Sequence, residues 1–146
     1  MYEGMLHLHS GLRWVALILL VYAVVKAYTS WRAGKNYGPK SKLVNLLTMV
    51  SFHLMATIGL ILFFVSPKVK FAGMMKNDVL RFFTLEHGLL MIAAVVLLTI
   101  GRKKAEQSSS GKARHRKIFT FYLIALILVL VAIPWPFRAN LGSGWF

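Results

Sequence analysis

The sequence predicts an all-α membrane protein, a four-transmembrane-helix up-down bundle with both termini outside. Three observations predict it: four long apolar stretches, cations crowded into alternate loops, and turn residues between the stretches that suit antiparallel neighbours. The chain has the length of one domain at 146 residues, and 58% apolar residues exceeds what a soluble core of that size takes up. Residues 1–146 therefore read as a single transmembrane domain.

The spans fall at about 6–30, 43–66, 80–100 and 118–134. Each has the length, roughly 17–25 residues, that crosses a ~30 Å hydrocarbon layer at ~1.5 Å per residue. The first reads as a retained span, because Glu3 and no cation precedes it and no small-x-small cleavage pattern follows it. Between the first two spans, Gly34, Gly38 and Pro39 supply the reversal of a helical hairpin. Pro67 after Ser66 stops the second helix, and Asn77-Asp78 caps the third. The third loop, residues 101–117, mixes cations with Ser108-Ser109-Ser110-Gly111, a composition expected to be mobile and unable to bury itself. Pro134-Trp135-Pro136-Phe137 ends the fourth helix and sets an indole at headgroup level.

Of the 18 Lys and Arg residues, twelve lie in the first and third loops with the adjoining Lys26, and six in the N-terminus, second loop and C-terminus. By the positive-inside rule, both termini face out. The second loop is basic as well, through Lys68, Lys70, Lys76 and Arg81. A net charge of +14 does not read as nucleic-acid binding, because the cations cap helix ends and form no groove with stacking aromatics. With no cysteine, disulfides, thiolate metal sites and covalent c-type haem are excluded, so any haem is held noncovalently. Nucleotide sites and serine hydrolases drop out for want of a phosphate loop or a nucleophile elbow.

Three of the five histidines, His9, His53 and His87, lie within or at the outer ends of different spans. Ionisable groups at such depth are costly and mark function by default, although one membrane histidine serves equally well as a hydrogen bond between helices. Counted from the inner boundary, His53 lies ~15 Å deep and His87 ~20 Å; counted from the outer one, His9 and His87 lie at ~5 and ~10 Å. Either pair suits a haem b, with His87 opposite His53 or His9. Arg13, one turn from His9, is the candidate partner of a propionate or of Glu86. Glu86, the one acid inside an apolar span, is protonated, paired with Arg13, or an acceptor that orients a histidine. Gly88 beside His87 suggests room for a macrocycle, whereas Gly59 reads as an ordinary helix contact. His7 reads as interfacial, and His115, between Arg114 and Arg116, as solvated or near lipid phosphate. A copper or zinc site would have to gather His7, His9 and His87 near the outer face.

Taken together, Leu6-His7-Leu8-His9-Ser10-Gly11-Leu12-Arg13-Trp14, His53, Glu86-His87 and Pro134-Trp135-Pro136-Phe137 resemble small bacterial four-helix membrane proteins of the cytochrome b-like kind. The His9-Ser10-Gly11-x-Arg13 run is also similar to pieces of haem-bearing anchor subunits of succinate dehydrogenase, which often have three spans per chain; the four spans here depart from that pattern, and only haem ligation is carried over. The resemblance implies one noncovalent bis-histidine haem b that carries single electrons, with a partner protein or quinone and possible association into a larger complex or homo-oligomer. The rival expectations are a nonenzymatic scaffold or accessory subunit, and a copper- or zinc-binding membrane protein.

Overall fold

The computed structural model describes residues 2–138, 141, 144 and 145. Its four long helices are α1 (Tyr2–Arg32), α2 (Pro39–Val65), α3 (Asp78–Glu106) and α4 (Gly111–Ala132), each long and apolar enough to cross a membrane. This is the makeup of a multi-pass membrane protein, and no strand occurs among the described residues.

The buried positions show why these helices pack. Along α4 they are His115, Ile118, Tyr122, Ala125, Val129 and Ala132, steps of three and four that place one seam inward. In α1 the same steps run through Ala16, Leu20, Ala23, Ala27 and Ser30, and in α3 through Ala94, Leu98, Gly101 and Ala105. Small residues dominate because lipid is as apolar as leucine, so close backbone approach rather than exclusion of water holds such helices together. Gly101 is the tightest example, since an added Cβ would overlap Phe121 of α4. α4 packs most extensively on α3 and then on α1, α1 also packs on α2, and α2 meets α3 less extensively.

Several expectations are corrected at the helix ends. α3 runs to Glu106 and α4 begins at Gly111, so most of the segment read as a mobile loop is helix. Lys, Arg and Ala are good helix formers, and cationic side chains reach headgroups without unwinding the backbone. The remaining turn is tied down: Ser108 is buried and donates to the Lys104 carbonyl at 2.8 Å, while Ser110 caps α4 by accepting from the Ala113 amide. His115 is buried, at 1% exposure, rather than solvated. Its Nε2 donates to the Asn36 carbonyl at 3.3 Å, and its ring stands edge-on to Tyr37 at 5.1 Å. Beside it a polar seam crosses the bundle: Tyr122 donates to the Asn45 carbonyl at 2.9 Å, and Asn45 Nδ2 donates to the Tyr37 hydroxyl at 2.9 Å. Burial of Tyr37 pushes its phenol above the usual tyrosine range.

The expected stops hold. Pro39 occupies the first turn of α2, Ser66 follows its last residue, and Asn77 Oδ1 accepts from the Leu80 amide to cap α3. Aromatic residues gather in two groups: Tyr28, Trp31 and Phe119 meet near one end of the bundle, and Trp14, Trp135, Trp145 and Phe137 near the other.

Candidate functional site: a histidine pair at one end of the bundle

At the end of the bundle away from the turns at 33–38 and 107–110, α1 and α3 bring His9 and His87 together. Their ring centres are 6.4 Å apart, with planes at 71°. Edge-to-face aromatic pairs fall in this range.

The surroundings of each ring decide which nitrogen is free. His87 Nδ1 lies 2.8 Å from the carbonyl of Ala132, the last residue of α4. A carbonyl only accepts, so Nδ1 carries the proton and Nε2 of the neutral ring keeps its lone pair. The Ala132 carbonyl is available because the last carbonyls of a helix have no partner within it. This backbone tether fixes the tautomer and orientation of an imidazole ligand. His9 Nδ1 is buried with no hydrogen-bond partner. Its Cε1 lies where a Cβ on Gly59 of α2 would come within 3.3 Å, so the absence of a side chain at Gly59 makes the space for His9.

A turn of π-helix, Phe82–Glu86, precedes His87 and inserts one extra residue into α3. That insertion also explains the partner of Glu86. Instead of Arg13, Glu86 meets Arg81, with Oε1 2.7 Å from Arg81 Nε, and Arg81 holds Asp78 at 3.0 Å as well. Arg13 instead donates to the Trp145 carbonyl at 2.7 Å, while its Nε is buried without a partner. Trp14 donates to that same carbonyl at 3.1 Å and stacks on Trp145 at 6.0 Å, so Trp145 is held against α1.

His53 is placed elsewhere. It is exposed on the face between α2 and α3, with Nδ1 donating to the Met49 carbonyl of its own helix at 2.8 Å and Nε2 3.4 Å from the Thr99 hydroxyl. Thr99 gives its proton to the Val95 carbonyl, so His53 Nε2 has no committed donor. Thr99 lies twelve residues beyond His87, about 18 Å along α3. The boundary count suggests a smaller offset between His53 and His87, and moving the boundaries to Pro39 and Glu106 deepens both histidines together, accounting for only about 3 Å of the difference.

His7 is exposed, and no group of three His, Cys, Asp or Glu placed to hold a metal ion occurs among the described residues. Gly88, expected to border the site, faces open space, and Gly59 is the glycine that touches it. Sequence reasoning missed the Ala132 carbonyl, the Trp145 strap and the π turn. The signal for the first was present in Pro134, which ends α4 and leaves its last carbonyls open. No protein-family model, curated protein or solved structure matches the chain.

Proposed function

We propose that this chain is a membrane b-type cytochrome, an up-down four-helix bundle of a bacterial inner membrane with both termini periplasmic, carrying single electrons on one haem b held by His9 and His87. The observation that carries the proposal is the pairing of two imidazoles from different helices, one tethered by a backbone carbonyl and the other with a buried nitrogen lacking a partner. The donor count favours haem over a bare ion. Copper or zinc taking its ligands from protein needs three or four donors, whereas iron already held by a macrocycle needs only two.

The protein groups divide the work. His87, tethered to Ala132, would hold the group through an oriented Nε2, and His9, seated against Gly59, would provide the second imidazole. The unpartnered Arg13 Nε is the donor for a propionate carboxylate. Haem b supplies a one-electron iron couple when bound. The aromatic strap of Trp14, Trp135 and Trp145 shields this end of the bundle and offers a surface to a redox partner protein or quinone.

A second reading, an accessory subunit of a larger complex or homo-oligomer, is favoured by His53. Its exposed position and uncommitted Nε2 within a membrane span suit a face covered by another chain. A dithionite-reduced minus oxidised spectrum of the purified protein, with a pyridine haemochrome assay, separates the readings. A b-type α-band at one haem per chain supports the cytochrome; a folded, colourless protein prepared with ample haem leaves the accessory subunit.

A further inference from the structure

The opposite end of the bundle carries a groove of about 470 Å³ lined by Trp31 of α1 and by Ser110, Lys112, Arg116, Lys117 and Phe121 of the α4 segment. Lys112 and Arg116 are one turn apart on α4 and Lys117 follows, and all three are exposed. No acid lines the groove. The chain has four acidic residues, and only Glu106 belongs to the segments that form this end. Three cations therefore share a concave surface with no counter-charge from the groove itself.

The lining changes character along its depth. From Lys112 to Phe121 it descends about 13 Å along α4, leaving the cationic mouth for the apolar part of the span. Trp31 closes the apolar wall, with Phe119 at 5.7 Å and Tyr28 at 6.2 Å packed on its ring. A free phosphate would use only the mouth. A ligand that fills the whole groove has an anionic head and an apolar body.

We infer that this groove binds an anionic phospholipid, its phosphate between Lys112, Arg116 and Lys117 and its glycerol and upper acyl chain against Trp31 and Phe121. Charge complementarity and the lengthwise change from polar to apolar both point to that occupant. The inference is independent of the haem.

The test is native mass spectrometry of the full chain in detergent, titrated with phosphatidylglycerol and, separately, phosphatidylcholine. The wild type retains phosphatidylglycerol preferentially. The triple variant Lys112→Gln, Arg116→Gln, Lys117→Gln loses roughly fivefold in affinity per cation, on the order of 100-fold in all. A control with the same charge loss at the other end, Lys68→Gln, Lys70→Gln, Lys76→Gln, keeps the wild-type preference. Equal loss in the control means diffuse charge and overturns the site, as does an unchanged triple variant. Displacement of the lipid by millimolar inorganic phosphate overturns the lipid assignment in favour of a free-phosphate site. Trp31→Leu reads the apolar wall separately: weaker lipid retention at unchanged charge supports the inference, and undiminished retention removes the body of the lipid from the groove.

Discussion

His87 and His53 are tethered alike and placed differently. In each, Nδ1 donates to a backbone carbonyl at 2.8 Å, which leaves Nε2 as the free nitrogen. The His87 tether comes from another helix, and its ring faces His9 inside the bundle; the His53 tether comes from its own helix, one turn back, and its ring lies on an open face. The difference teaches that the same residue type and tautomer are placed in an enclosed pair only where a second helix brings a partner ring and closes the space around it.

The largest effect that would break this comparison is on haem retention. His87→Ala is expected to abolish the b-type α-band, and His53→Ala to leave it at wild-type intensity; loss of the band in His53→Ala alone would reverse the two assignments. A stability effect comes next. Gly101→Ala forces α3 away from Phe121 of α4, and overpacking of this kind costs about 1–3 kcal/mol. Thermal unfolding in detergent, followed by helical circular dichroism, should show a lowered midpoint. Tyr122→Phe removes the bond to the Asn45 carbonyl and should cost ~1 kcal/mol in the same assay.

Smaller effects sharpen the comparison. Gly59→Ala adds a methyl at 3.3 Å from His9 and shifts that ring by a few tenths of an ångström. It should move the reduction potential or the α-band maximum without releasing haem, measured by redox titration. The smallest effect is alkaline. The folded state holds the Tyr37 proton more tightly than the unfolded state, so above the ordinary tyrosine pKa of ~10 the unfolded chain releases the proton first. The contribution of Tyr37 to stability is present below that pH and declines as pH rises toward its higher folded value. Tyr37→Phe should flatten this part of the stability profile relative to wild type.

The four spans were legible because a long apolar run has few alternatives, and the pairing of His9 with His87 was one of two that counting along the helices allowed. What escaped the sequence was whatever depended on another part of the chain. His115 sits between two arginines, a setting that reads as solvent, and only the Asn36 carbonyl and the Tyr37 ring show why it is buried. The offset of His53 needed the lengthwise shift of α2 against α3, which no boundary count supplies because both helices run past their apolar stretches at the same end. The Glu86–Arg81 pair spans five residues, a separation that regular α-helix does not bring together and a π turn does.

That same turn gives α3 something like a frameshift. Residues before Phe82 and residues after Glu86 are read by the rest of the bundle in two different phases, and His87 is the first residue in the new one. Deleting a single residue between 82 and 86 would let the segment close as regular α-helix and leave the preceding turn, with Asp78 and Arg81, in nearly its present orientation to His87, because the wider turn already absorbs the extra residue. A chain one residue shorter here would therefore keep its histidine in much the same surroundings and lose only the widened turn before it.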